Sequence, residues 1–171
     1  KLLGRNMSLF YEDPVHLVKG EGVWLWDADG RKYLDCYNNV ACVGHANAHV
    51  REAVADQLTR QDTHSRYLQD EVLDYAERLL GYFPQTLDHV SFTNSGSESV
   101  ETALKVALAY HRAKGDGARS RLIGRERGYH GVNFGGISVG GIVSNRKMFG
   151  TLLTGVDHMP HTHMPDKNAF T

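Results

Sequence analysis

Apolar and polar residues alternate along residues 15–35, VHLVKGEGVWLWDADGRKYLD. Turn-forming residues interrupt the alternation twice, as GEG at 20–22 and as DADG at 27–30. A two-residue period is that of a strand with one solvent-facing side, and short glycine-containing turns connect antiparallel strands. The pattern therefore predicts a small antiparallel β-meander.

A helical period replaces the alternation in three later segments. Residues 48–60, 69–82 and 97–114 each place apolar residues three and four positions apart, which is the spacing that lines one face of a helix. The second predicted helix ends before Pro84, and the glycines within 115–117 end the third.

Short apolar runs flank the third helix, as LDHVSFTN at 87–94 and as SRLIGRE at 120–126. This succession of strand, helix and strand predicts a βαβ unit with parallel strands and a right-handed crossover. In the glycine-rich region that follows, the sequence predicts a helix near 144–149 and a third strand near 156–160. The predicted fold class is α/β, with a sheet that is expected to continue beyond the end of the chain.

The composition is that of an ordinary globular protein, with 171 residues, 41% hydrophobic, 23% charged and a net charge of -1. This length fits one domain or a piece of a larger one. The near-neutral charge offers no basic surface for nucleic acid, and no apolar run reaches the ~18 residues of a membrane span. Cys36 and Cys42 are too few for a disulfide framework, so we expect a cytoplasmic protein. Lys1 is not a start methionine, which allows for a lost upstream segment.

The first chemically suggestive stretch is NSGSE at 94–98, where a predicted strand meets the long third helix. The first N–H groups of a helix lack intrahelical acceptors and attract anions, and Gly96 lets a bulky anion approach the backbone. A hydroxyl from Ser95 or Ser97 adds a donor, so the junction suits a phosphate monoester. The alternative is a plain helix cap, with Ser95 or Ser97 capping and Glu98 or Glu101 in the first turn.

A second suggestive stretch, RGYHGVNFGG at 127–136, follows the next predicted strand and so is expected at the same edge of the sheet. Tyr129 lies between Gly128 and Gly131 and is placed to cover a flat ligand with its ring. A phosphate socket beside a stacking aromatic indicates a flat, phosphorylated cofactor. The alternative is that Tyr129 and His130 are ordinary loop residues.

These motifs together resemble the N-terminal part of a class III aminotransferase, a fold-type I enzyme that depends on pyridoxal phosphate. The resemblance rests on TNSGSES, RGYHG, EGVWLWDADGRKYLD and VGH in this order, and it covers essentially the whole chain. It implies that Gly96 and Ser97 bind the phosphate of pyridoxal 5'-phosphate, that Tyr129 stacks on its pyridine ring, and that His130 completes the signature. With Ser95, these are the expected cofactor-binding residues.

The same resemblance implies two domains and an incomplete fold. Residues 1–46 correspond to an N-terminal segment with the β-meander, as part of a small domain. Residues 47–171 correspond to the first part of the large cofactor-binding domain, which is truncated at its C-terminal end. Members of this family are dimers, and their small-molecule substrates are an amino donor and a keto acid. We therefore expect these substrates, and a homodimer for the full-length form.

The two halves of the chain resemble different branches of the family. Residues 91–165 are similar to omega-amino-acid:pyruvate aminotransferases, whereas residues 9–83 are similar to ethanolamine-phosphate phospho-lyases. The expected substrate pocket includes Asn39, Val40 and Arg66, the last as an anion contact or else as a surface ion-pair residue. Transamination with pyruvate and elimination of phosphate from an amino-alcohol phosphate both stay open.

The chain is expected to lack the lysine that holds pyridoxal phosphate as a Schiff base, because no lysine stands in the family's context for it. Little or no activity is therefore expected from these residues alone, and a non-catalytic fragment with an exposed sheet edge is the alternative function. Histidines 158, 161 and 163 lack a carboxylate or cysteine at regular spacing, so no metal is expected. The glycines at 135–141 do not form the GxGxxG motif of nicotinamide enzymes.

Overall fold

The computed structural model describes residues 4, 7, 9–37, 41–150 and 152–163. The chain forms two compact units, Lys1–Leu73 and Asp74–Thr171. The domain boundary at residue 46 stays a prediction. Among the described residues, no helix is both long and apolar enough to cross a bilayer. The elements in chain order are β1 (Leu17–Glu21), β2 (Trp24–Asp27), β3 (Lys32–Leu34), α1 (Ala48–Arg60), α2 (Asp70–Leu80), α3 (Gly96–Ala113), β4 (Leu122–Arg125), α4 (Phe134–Val139), α5 (Val143–Arg146) and β5 (Val156–Met159).

The predicted β-meander is confirmed in the first unit. Strands β1, β2 and β3 pair antiparallel in sequence order, with Glu21 opposite Trp24 and Trp24 opposite Leu34. The ammonium group of Lys32 lies 4.0 Å from the centre of the Trp24 ring. This cation–π contact covers an aromatic face that the small sheet leaves half-exposed.

Asp27 organises the turn between β2 and β3. Its Oδ1 accepts hydrogen bonds from the backbone N–H groups of Asp29 and Arg31 at 3.0 and 2.8 Å, and its Oδ2 accepts one from the Tyr33 hydroxyl at 2.6 Å. The carboxylate is buried, with 7% of the residue exposed. The Tyr33 hydroxyl is the largest cause that lowers the pKa of Asp27 below its ordinary value of 3.8, followed by the two backbone donors against the opposing effect of burial.

A Tyr33→Phe variant is expected to be less stable at about pH 7 and to differ little from the unchanged protein at about pH 2. A carboxyl whose pKa is lowered in the folded state adds stability above its ordinary pKa, and this stability is lost as the pH falls through the lowered value. Thermal unfolding at both pH values measures the difference, with Tyr82→Phe, at an exposed tyrosine, as the control. An equal loss at both pH values would show that the hydroxyl acts independently of the Asp27 charge.

His45 attaches the segment before α1 to the meander. Its backbone exchanges hydrogen bonds with Gly22 at 3.0 and 2.8 Å, and its Nε2 lies 2.7 Å from Asp35 Oδ2. A Cβ on Gly20 would lie 2.8 Å from the Cβ of His45, so glycine is required there. Helix α1 then begins at the predicted residue, because Asn47 Oδ1 accepts the N–H of Val50 at 3.2 Å.

The predicted helices agree with the structure within about one turn. Helix α2 covers Asp70–Leu80 of the predicted 69–82, and α3 covers Gly96–Ala113 of the predicted 97–114. The helix predicted at 144–149 appears as the single turn of α5, Val143–Arg146.

The strand predicted at 87–94 is wrong, because this segment has no regular secondary structure. Its Phe92 ring is half-exposed and stacks on Tyr75, with ring centres 5.3 Å apart. A strand exists only where a neighbour accepts and donates its hydrogen bonds, and among the described residues β4 is paired with β5 alone. The predicted strand–helix–strand unit around α3 is therefore absent from the described residues.

The parallel pair is formed instead by β4 and β5, with Leu122 opposite Val156 and Arg125 opposite Met159. Helices α4 and α5 occupy the connection between them. Helix α4 was not predicted, since its FGGISV sequence contains two glycines that each cost ~1 kcal/mol in a helix relative to alanine. Packing accounts for it: Ser138 is 1% exposed, donates to the Phe134 carbonyl at 2.6 Å and accepts the N–H of Leu153 at 3.0 Å.

Candidate functional site

The N-terminus of α3 is closed by two hydrogen bonds. Ser95 is the N-cap residue, and its Oγ accepts the N–H of Glu98 at 3.2 Å. Glu98 Oε2 accepts the N–H of Asn94, the residue before the cap, at 2.8 Å. The capping role that the sequence left open for Ser95 or Ser97 thus belongs to Ser95.

This cap leaves donors at the helix end. The N–H groups of Gly96 and Ser97 belong to the first turn, where no intrahelical acceptor exists. A Cβ added to Gly96 would meet no atom within 4 Å, so the space on the Cβ side of Gly96 is open. Ser95 uses its oxygen as an acceptor and keeps its hydroxyl proton. The end of an 18-residue helix with open, directed donors is suited to a phosphate group.

Ser97 connects this helix end to the second motif. Its Oγ accepts the N–H of Val132, which is 35 residues away in sequence, at 3.1 Å. Gly131 lies against the same residue, since a Cβ on Gly131 would lie 2.6 Å from Ser97 Oγ and 2.7 Å from Ser97 Cα. Gly131 also has φ +95°, a left-handed conformation that favours glycine. The loop that contains Tyr129 therefore lies beside the first turn of α3.

Tyr129 and His130 occupy different surroundings within this loop. Tyr129 is 61% exposed, so its ring is free to contact a ligand. His130 is half-buried and lines an open apolar cleft between α3 and β4. A Cβ on Gly128 would lie 3.1 Å from His130 Nε2, which shows how closely the imidazole packs on its own loop.

The loop is shaped by Arg127, which no motif in the sequence marks as a site residue. Arg127 has φ +63°, which is uncommon for a residue with a side chain. Its N–H donates to the Gly141 carbonyl at 3.0 Å, and the Gly141 N–H donates to the Gly128 carbonyl at 2.8 Å. A side chain at Gly141 would collide with the Arg125 carbonyl oxygen. This paired backbone turns the chain after β4 toward Tyr129.

The sequence suggests only a first-turn acidic role for Glu101, and the structure gives it a different partner. Its Oε1 accepts the N–H of Gly136 in α4 at 3.0 Å. Its position four residues after Ser97 on α3 was a signal in the sequence. The spacing does not identify Gly136 as the partner of Glu101, because Gly136 lies 35 residues away in sequence.

Of the predicted substrate-pocket residues, the structure describes Arg66, which lies in the first unit. Asn39 and Val40 fall outside the described residues. Arg66 lies in the connection between α1 and α2, is exposed, and donates its backbone N–H to His64 Nδ1 at 3.1 Å. Its role in a pocket stays a prediction.

The histidines near the C-terminal end have local partners. His158 Nε2 donates to the Gly140 carbonyl at 2.9 Å, and Arg146 Nη1 lies 2.9 Å from the same nitrogen. The N–H of His163 donates to His161 Nδ1 at 3.2 Å. Within the part of the chain that the structure describes, no group of three or more metal-binding side chains is found.

Residues 10–169 match the aminotransferase class-III family. The chain belongs to this family. It is 52% identical over 158 residues to an omega-aminotransferase of Caulobacter vibrioides. The aligned region covers 90% of this chain and 36% of that protein. It is 47% identical to the beta-alanine–pyruvate aminotransferase of Pseudomonas aeruginosa, over 95% of the chain and 37% of that protein. The chain therefore spans little more than a third of either relative.

Solved structures of two transaminases and a phospholyase share its fold. An (S)-enantioselective omega-transaminase from Thermomicrobium roseum superimposes with a TM-score of 0.84 at 33% identity, over 92% of this chain and 38% of the other. A PLP-bound amine transaminase from an uncultivated Pseudomonas species gives a TM-score of 0.80 at 32% identity, over 94% of this chain and 38% of the other. A phospholyase from Arthrobacter in complex with phosphoethanolamine gives a TM-score of 0.79 at 37% identity, over 92% of this chain and 35% of the other. The predicted transaminase fold, present in part, is confirmed.

Proposed function

We propose that this chain supplies the part of a pyridoxal-phosphate enzyme that holds the cofactor's phosphate and covers its ring. The proposed enzyme moves an amino group from an omega-amino acid or amine to pyruvate. One contact carries the assignment: Ser97 Oγ accepts the Val132 N–H, which sets the Tyr129 loop beside the open end of α3. The beta-alanine–pyruvate aminotransferase relative supports the choice of donor and acceptor.

The residues of this end of α3 fit a phosphate monoester in number and kind. Two backbone N–H groups, at Gly96 and Ser97, and the hydroxyls of Ser95 and Ser97 are all donors, and a phosphate dianion is an acceptor. The helix dipole adds a favourable interaction with the negative charge. Tyr129 is exposed two residues before Gly131, so its ring is available to cover a flat heterocycle bound by its phosphate.

Pyridoxal phosphate, when bound, supplies an electron sink for the carbon that carries the transferred amino group. The chain's own residues anchor and orient that group through the helix end and the tyrosine loop. We propose that the lysine that carries the cofactor lies outside these residues. In support, the five described lysines, Lys19, Lys32, Lys105, Lys114 and Lys147, are all exposed, whereas a lysine that carries a cofactor needs a pocket that lowers its pKa.

Borohydride reduction of the cofactor-loaded protein, in the length that its gene encodes, is expected to label a lysine outside residues 1–171. The 171-residue chain alone is expected to form no keto product from β-alanine and pyruvate. Peptide mass spectrometry locates the label, and product assay measures turnover. A label on Lys105 or Lys147, or turnover by the 171-residue chain, would contradict the assignment.

A phospho-lyase that eliminates phosphate from an amino-alcohol phosphate is the second candidate function. The Arthrobacter phospholyase is 37% identical over the superimposed region, against 33% for the Thermomicrobium transaminase. The 52% identity to an omega-aminotransferase favours transamination. Assays of the encoded protein with ethanolamine phosphate and with β-alanine plus pyruvate separate the two: release of inorganic phosphate identifies a lyase.

Four further proposals concern the whole protein. We propose a homodimer, a cytoplasmic location, and contacts of Asn39, Val40 and Arg66 with substrate. A small domain that ends near residue 46 belongs to the same proposal. Size-exclusion chromatography with light scattering measures the oligomeric state.

A further inference from the structure

We propose that Glu101 is a positioning residue of the cofactor site. In this role it holds the loop at 131–136, and with it Tyr129, in place against α3. The inference rests on the proposed function, because the position of the loop matters only if Tyr129 covers a cofactor. The residue touches no proposed ligand and acts through the loop.

The contact between Glu101 and α4 meets a need of that helix. Gly136 is the third residue of α4, so its N–H has no acceptor within the helix. Asn133 stands at the N-cap position but makes no capping hydrogen bond with its side chain. Glu101 Oε1 accepts the Gly136 N–H at 3.0 Å and so replaces the missing cap from a neighbouring helix. The contact is partly buried, which increases its strength.

Ser97 and Glu101 form a pair of acceptors on one face of α3. They are four residues apart, so they lie one above the other along the helix. Their donors, the N–H groups of Val132 and Gly136, are also four residues apart. The loop and the start of α4 therefore run beside α3 and are held at two points one helical turn apart.

The glycines of the loop show how close this approach is. A Cβ at Gly135 would lie 2.7 Å from Glu101 Oε1 and 2.9 Å from Leu104 Cδ1. A Cβ at Gly131 would lie 2.6 Å from Ser97 Oγ. Gly131 is required by its positive φ and by the nearby backbone of α3, whereas a side chain at Gly135 would displace the ends of the Glu101 and Leu104 side chains. The close approach leaves little freedom for the loop to shift along α3.

The hydrogen bond between Ser97 and Val132 affects the proposed phosphate contact directly. The Val132 N–H occupies one lone pair of Ser97 Oγ, which directs the hydroxyl proton away from the loop. Release of Gly136 from Glu101 frees the segment that carries Val132. The Ser97 hydroxyl then loses its fixed orientation, and Tyr129 loses its fixed position. Loss of Glu101 is therefore expected to weaken cofactor binding without any contact to the cofactor.

The test compares Glu101→Ala, Glu101→Gln and Lys105→Ala in the encoded protein. Glutamine keeps an acceptor oxygen for Gly136, and Lys105 is an exposed residue one turn further along α3. Before cofactor is added, Glu101→Ala is expected to speed amide hydrogen exchange of residues 131–139. Its affinity for pyridoxal phosphate is expected to fall about tenfold, the effect of one hydrogen bond to a charged group. Glu101→Gln is expected to stay within about threefold of the unchanged protein.

Induced circular dichroism of the bound cofactor reports ring orientation and is expected to change only in Glu101→Ala. Unchanged affinity and dichroism in Glu101→Ala, with cofactor bound normally by the unchanged protein, would overturn the positioning role alone. An equal loss in Glu101→Gln, or in Lys105→Ala, would also overturn it, because the acceptor oxygen would not be what matters. Failure of the unchanged protein to bind pyridoxal phosphate would overturn the proposed function and this inference together.

Discussion

A Gly131→Ala variant is expected to lose roughly 2 to 4 kcal/mol of unfolding free energy and to bind pyridoxal phosphate at least about thirtyfold more weakly. Two effects add at this position. The backbone has φ +95°, where any side chain is strained, and the new Cβ would lie 2.7 Å from the Cα of Ser97. Because the nearest atoms include backbone of α3, the collision is relieved only by moving the loop away from the helix.

Gly115→Ala is the matched control for this prediction. Gly115 has φ +84°, and a Cβ there would meet no atom within 4 Å, so only the backbone strain is added. We expect this variant to lose about 1 kcal/mol and to keep its cofactor affinity. Urea unfolding and cofactor titration measure both quantities. If Gly115→Ala and Gly131→Ala lose the same stability and affinity, the close contact with Ser97 has no consequence for the site.

Ser97→Ala is expected to bind pyridoxal phosphate between tenfold and a hundredfold more weakly, on the order of one or two hydrogen bonds to a charged group. The variant removes the hydroxyl that we assign to the phosphate and leaves the Val132 N–H without its acceptor. The affinity for pyridoxal, which has no phosphate, is expected to fall much less. Titrating both ligands therefore separates the phosphate contact from the support of the loop.

Ser99→Ala is the control for this second prediction. It lies on the same helix, and its Oγ is 2.6 Å from Thr93 Oγ1 instead of the tyrosine loop. We expect it to change neither affinity by more than about twofold. An equal fall for pyridoxal and pyridoxal phosphate in Ser97→Ala would mean that Ser97 supports the loop and does not contact the phosphate.

The helices and the meander were predictable because their hydrogen bonds join residues close in sequence. Helix α1 begins directly after Asn47, whose side-chain Oδ1 accepts the N–H of Val50, three residues further along. The meander follows from alternation and two glycine turns. The segment at 87–94 shows the limit of this reasoning. An apolar run is typical of a strand, but pairing requires a neighbour that the run itself does not specify.

Helix α4 shows the opposite failure. Its glycines lower helix propensity, and the pattern alone predicts a loop. The structure reveals why glycine is present: Gly135 lies against Glu101, and a side chain on Gly136 would collide with the His130 carbonyl oxygen. Close packing on α3, together with the buried Ser138, offsets the weak propensity. Whether packing offsets a weak helix propensity depends on which elements contact each other, so a short stretch of sequence does not determine it.

The sequence by itself determined the order of the motifs, narrowed the α3 cap to Ser95 or Ser97, and showed the resemblance to an aminotransferase family, because each depends on residue types at short, fixed spacings. Only the tertiary structure decided that the Ser97 hydroxyl accepts the N–H of Val132 and that the Glu101 carboxylate accepts the N–H of Gly136. Both contacts join residues 35 positions apart. They arise because the chain leaves β4 and turns back at Arg127 along α3, and the direction of that return depends on packing.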